Sequence, residues 1–127
     1  MEFYIPTETG ELLAFSAAVV TGLLGLFALF APATALGLCG LQAREGGREG
    51  LAFARSAGGF HAGLALVALL MAQNWIYMAI GGGLALAGFG RILSLMSDGS
   101  FTVRNLVALF VQAALAGAML GYAFELI

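Results

Sequence analysis

From Leu12 to Ala31 the chain carries no charged side chain. That run matches the roughly 20 residues an α-helix needs to cross a ~30 Å hydrocarbon core. In such a core every backbone N–H and C=O must be satisfied within the protein, which leaves only helices and closed barrels as spanning structures. The rest of the chain repeats the pattern. It is 61% hydrophobic and 9% charged over 127 residues, whereas soluble domains carry about 25% charged residues. A polytopic membrane protein is the class this composition selects.

Four spans fit, at about 11–31, 50–72, 75–96 and 102–125, within a single domain covering 1–127. The expected fold is all-α, an integral membrane four-helix bundle. Pro32 closes the first span, since proline lacks a backbone donor and clashes with the preceding turn. A weakly apolar stretch follows and suits an interfacial position, before the charged, Gly-rich loop that ends near Gly50. Spans two and three are joined tightly around Gln73–Asn74, with Trp75 and Tyr77 expected at a membrane–water interface. The third connection contains Asp98–Gly99, a turn signal. No internal repeat is evident.

The five arginines, Arg44, Arg48, Arg55, Arg91 and Arg104, all fall in or beside the loops at 32–49 and 97–101. The termini and the 73–74 turn carry none. Such asymmetry places the arginine-rich loops in the cytoplasm and both termini on the non-cytoplasmic side. Glu2, Glu8, Glu11 and Glu125 lie on that outer side. The acidic stretch before the first span is the opposite of a basic secretory n-region. Abundant Ala and Gly, with five arginines and no lysine, point to a GC-rich bacterial genome, and hence to the bacterial inner membrane.

The tight turn fixes relative depth. Arg55 and Arg91 both lie about 27 Å from it along their helices, at ~1.5 Å per residue. Glu49 and Asp98 fall one layer further out. The two arginines are therefore expected at the membrane edge.

Small residues recur at four-residue spacing: Gly59 and Gly63, Gly117 and Gly121 extended by Ala113, Ala14 with Ala18 and Gly22, and Gly83 with Ala87. Lipid supplies no hydrophobic drive between helices, so close approach through small residues provides much of the attraction. Gly58, Gly59, Gly63, Gly83, Gly117 and Gly121 are the expected packing glycines, with spans two and three touching along their small faces.

The sequence Arg55-Ser-Ala-Gly58-Gly59, with Gly88-Phe-Gly90-Arg91 and then Asp98-Gly99, resembles a family of small bacterial four-helix membrane proteins that carry a domain of unknown function. The resemblance spans nearly the whole chain and includes Pro32. It implies the four-span fold and supplies no activity.

Candidate chemistry is sparse. Arg55, Arg91 and Asp98 form a possible ligand or lipid site, because two guanidiniums at low dielectric call for a counter-charge. An acid, a lipid phosphate or a carboxylate would provide it. The bland alternative is that each arginine reaches separately to headgroups. His61 lies roughly 9 Å deeper than Arg55, and intramembrane ionisable groups are functional candidates. Its expected partner is Gln112, at similar depth. Ala57-x-x-x-His61 also has the form of pigment-ligating helices, with a small residue one turn from the imidazole. His61 and Arg55 point about 120° apart on their helix, which disfavours a joint role.

No second histidine, cysteine cluster or intramembrane carboxylate exists to build a nucleophile–base pair or metal centre. Catalytic and metal residues, and a cofactor, are therefore not expected. Arginines are too few and too mixed with acids for nucleic-acid binding. The leading expectation is a non-enzymatic accessory or stabilising subunit of a larger membrane complex, with lipids, other subunits or further copies as partners. The competing expectation is binding or transport of an anionic lipid, quinone-like molecule or small acid through Arg55 and Arg91. Haem or pigment binding at His61 is a third.

Overall fold

A computed structural model describes residues 6–42 and 44–127; Glu2 lies outside them. All regular structure among the described residues is helical: α1 Thr9–Phe30, α2 Pro32–Leu38, α3 Glu49–Met71, α4 Asn74–Ser97 and α5 Val103–Ala123. The four long helices are each long and apolar enough to span a membrane. Their limits fall within two residues of those expected from hydropathy.

Local chemistry sets the helix ends. Pro32 offers no N–H to the carbonyl of Ala28, so α1 stops. The same proline then occupies the first turn of α2, where its missing donor costs nothing. At the far end of α3, Ala72 adopts φ 51°, ψ 41°, and its N–H caps Ala68. That left-handed turn reverses the chain into α4. Thr102 opens α5 by accepting a bond from the Asn105 amide through its side chain at 3.2 Å.

Small residues lie inside and large apolar ones outside. On α1, Ala14, Ala17, Ala18, Thr21 and Gly25 are buried, while Leu23 and Phe30 are exposed. Phe53, Phe60, Leu86 and Phe110 are likewise exposed on the other helices. A surface of Leu and Phe around a core of Ala and Gly suits lipid as solvent, where packing depends on backbone approach. Larger side chains enter the core at Ile76, Ile80 and Leu84, and Tyr77 and Met119 are the largest that are fully buried.

Helix partnership differs from expectation. α3 packs chiefly on α1, and α4 chiefly on α5, with α1 also against α5. α3 and α4, despite their short connection, make far slighter contact. Chain proximity at one turn does not force two helices together along their length. Opposed backbones do, and these occur between α1 and α3. A Cβ built on Gly25 would lie 2.6 Å from the Gly58 carbonyl oxygen and 2.7 Å from the Ala62 nitrogen. Only glycine at both positions permits that crossing. On the other pair, Gly81 faces Leu120 at 2.8 Å from its would-be Cβ.

The two ends are marked by contacts between distant segments. Gly10 lies against Ile127, and Gly40 lies against the Arg104 side chain. Tyr77, expected at an interface, points into the bundle. It is fully buried and stacks edge-on against Tyr122, with ring centroids 5.6 Å apart at 84°. Trp75, by contrast, is exposed.

Candidate functional site

The two arginines expected at the membrane edge have separate employments. Nη1 of Arg55 donates to the carbonyl oxygen of Leu29 at 2.7 Å. That carbonyl belongs to the last turn of α1, where no following amide is available along the helix. A cation there also meets the negative end of the helix dipole. Arg55 thus closes α1 from the neighbouring helix.

Arg91 is held by α5 instead. Its Nε donates to Gln112 Oε1 at 3.1 Å and its Nη1 to Asn105 Oδ1 at 2.8 Å. Asn105 and Gln112 stand seven residues apart, two turns along one face of α5. Asn105 Nδ2 in turn donates to the Ser100 carbonyl at 2.6 Å, and the Ser94 and Ser100 hydroxyls lie 2.8 Å apart. The guanidinium is therefore held by neutral amides. Asp98 is exposed and stands outside this network. The expected Arg55–Arg91–Asp98 constellation is not assembled, because α3 and α4 diverge and each arginine turns to a different helix pair.

His61 and Gln112 also depart from the expected mutual pair. His61 Nδ1 lies 2.7 Å from the carbonyl oxygen of Ala57, one turn back on its own helix, and the Gln112 oxygen is taken by Arg91. Yet both side chains line one cavity of about 370 Å³. All five helices contribute to it. Thr21 and Gly25 come from α1, Ala35 and Leu38 from α2, Gly58 and His61 from α3, Leu84 from α4, and Gln112 from α5. Cys39, just past α2, lines it as well. Its volume falls within the roughly 300–1,000 Å³ of small-molecule sites, which combine apolar walls with a few polar groups.

Hydrogen bonding assigns those polar groups. A carbonyl oxygen only accepts, so His61 Nδ1 carries the proton that joins it to Ala57. In the neutral imidazole this leaves the lone pair on Nε2. An arginine only donates, so the Gln112 oxygen faces Arg91 and its NH₂ remains a donor. The Thr21 hydroxyl donates to Ala17 O at 2.8 Å. Two of the lining residues therefore retain polar capacity, an acceptor on His61 and a donor on Gln112.

Of the expected packing glycines, Gly58 is buried at the α1–α3 crossing, Gly59 meets only Leu29 Cδ1 at 3.8 Å, and Gly121 meets Ile127 at 3.4 Å. Gly63, Gly83 and Gly117 face open space, with nothing within 4 Å of a would-be Cβ. Spacing alone had singled them out, but their helix faces point away from the neighbouring helices.

The chain matches no family model, no curated protein and no solved structure. The function of the cavity must therefore be read from its own residues. Among the described residues no three His, Cys, Asp or Glu side chains gather as metal ligands.

Sequence reading passed over Gly25, Gly81 and Asn105. Gly25 had a detectable signal, since Ala14, Ala18, Thr21 and Gly25 extend one helical face by three- and four-residue steps. Asn105 also had one, as the amide seven residues before Gln112.

Proposed function

We propose that this protein is a non-enzymatic, small-molecule-binding protein of the bacterial inner membrane, and that its ligand occupies the cavity beside His61 and Gln112. The observation that carries this reading is the presence of an acceptor-bearing and a donor-bearing side chain on one apolar cavity lined by all five helices. The engagement of Arg55 with Leu29 and of Arg91 with two amides favours a neutral ligand over an anionic lipid or small acid bridged by the two arginines. Arg91 then acts through Gln112, orienting its amide towards the cavity.

Both termini lie outside the cytoplasm in this proposal. Arg44, Arg48 and Arg104 share the opposite end of the helices with Cys39, consistent with the retention of arginine on the cytoplasmic side.

The test is extraction of the purified protein from mild detergent, with mass spectrometry of its organic extract. A molecule retained by the native protein and lost from Val111→Trp, which fills the cavity from an exposed lining position, supports the proposal. Equal recovery from both proteins defeats it.

A second reading, as a subunit of a larger assembly, is favoured by one specific observation. Gly63, Gly83 and Gly117 present bare backbone outward, and such surfaces admit close approach by another helix. Native mass spectrometry from mild detergent separates the cases: copurifying subunits support assembly, and a lone chain argues against it.

A further inference from the structure

The proposed binding role leaves the chemistry of the ligand open, and the hydrogen-bond roles inside the cavity narrow it. We infer that the occupant is a neutral amphiphile whose head carries both a hydroxyl donor and a carbonyl acceptor, the hydroxyl bonding His61 Nε2 and the carbonyl bonding the Gln112 NH₂. This inference rests on the binding role proposed above and adds the selection rule.

Three features lead to it. First, the 2.7 Å bond from His61 Nδ1 to Ala57 O commits the ring proton, so Nε2 of the neutral ring accepts and does not donate. A ligand must bring its own hydrogen to that atom. Second, Gln112 is held the opposite way. Arg91 Nε occupies Oε1 at 3.1 Å, leaving an amide NH₂ that requires an acceptor from the ligand. The adjacent positive charge polarises this amide and strengthens it as a donor. Third, the Thr21 hydroxyl hydrogen is committed to Ala17 O, so it does not compete with Gln112 for the carbonyl.

The surrounding walls determine the rest of the molecule. Leu24, Phe27, Leu38, Leu84, Val111 and Leu115 set apolar side chains around the polar pair, several of them also facing outward. Arg91 stands behind Gln112 and does not line the cavity, so a charged head would meet no counter-charge directly. A neutral hydroxy-carbonyl head instead satisfies both polar groups and leaves its apolar remainder against leucine and phenylalanine. A donor left unmade in such surroundings costs more than the bond itself contributes. Selection by hydrogen-bond pattern is therefore expected to exceed selection by shape.

The chain has one histidine, so a ¹⁵N-labelled imidazole gives a single pair of ring signals. In detergent micelles, butyl 4-hydroxybenzoate supplies a hydroxyl and a carbonyl on one apolar molecule. Butyl 4-methoxybenzoate lacks the hydroxyl hydrogen, and 4-butoxyphenol lacks the carbonyl. The expected result is saturable binding of the first probe with a shift of the Nε2 resonance. Each of the other two should bind about tenfold more weakly, by loss of one bond.

Two variants assign the partners. His61→Phe keeps an aromatic ring and should abolish the preference for the hydroxyl over the methoxy probe. Gln112→Glu still accepts from Arg91 but has no N–H, and should abolish the preference for the ester over the ether. Helical circular dichroism matching that of the native protein establishes that each variant is folded. If all three probes bind the native protein equally and Val111→Trp blocks them, the cavity binds ligands but the selection rule is wrong. If none binds, or Val111→Trp leaves binding unchanged, the binding role falls with it. A visible Soret-type absorption in the isolated protein would give Nε2 to a metal macrocycle and overturn the inference.

Discussion

Replacing Gly58 with alanine probes the tightest approach made at any described glycine. The added Cβ would stand 2.6 Å from the Leu29 nitrogen, 2.8 Å from the Ala28 Cβ, and nearer still to the Gly25 carbonyl oxygen. Ordinary contact for such an atom begins near 3.4 Å. Two of the three obstacles are backbone atoms of α1, which no rotamer change can move. The helices must therefore part by about 1 Å at the crossing, an overpacking change that typically costs about 1–3 kcal/mol. Against this, alanine favours an isolated helix over glycine by up to about 1 kcal/mol.

Gly63→Ala provides the control. It lies on the same helix and makes the same chemical change, but nothing stands within 4 Å of its Cβ. The propensity gain is then unopposed. Reversible unfolding in mixed micelles, titrated with sodium dodecyl sulfate and followed by circular dichroism, should rank Gly63→Ala above the native protein and Gly58→Ala below it. The expected gap between the variants is about 2 kcal/mol. Agreement within about 0.5 kcal/mol would refute the reasoning, since the Gly25–Gly58 crossing would then not limit the approach of α1 and α3.

Tyr77 is fully buried and its hydroxyl has no hydrogen-bond partner among the described residues. Tyr77→Phe keeps the ring against Tyr122 and removes a desolvated polar group, so it should be neutral or stabilising by up to about 1 kcal/mol in the same unfolding assay. A clear loss would reveal a partner for that hydroxyl. Ala72→Gly should stabilise by about 0.5–1 kcal/mol, because a non-glycine residue at φ 51° pays the steric cost of the left-handed region; a lower unfolding midpoint would contradict this.

The contents of the candidate site were only partly legible along the chain. His61 and Gln112 stood out as polar residues at similar membrane depth, and both reach the same cavity. What each does there depended on neighbours at large sequence separation. Gln112 is committed by Arg91, and His61 lines a space to which α1, α2 and α5 also contribute. Arg55 read as a marker of the membrane edge, and its carbonyl partner on α1 could not be found by spacing within α3.

The sequence by itself determined the helical class, the limits of the four long helices and the gathering of arginine toward alternate connections. Those properties follow from run length, from proline and turn residues, and from charge, all of which act locally. Only the tertiary structure decided that α3 joins α1 and α4 joins α5. Every span carries small residues on several faces, so periodicity offers many equivalent seams. The choice falls to the seam where two backbones meet without a Cβ between them, as at Gly25 and Gly58, and that match exists only once both helices are in place.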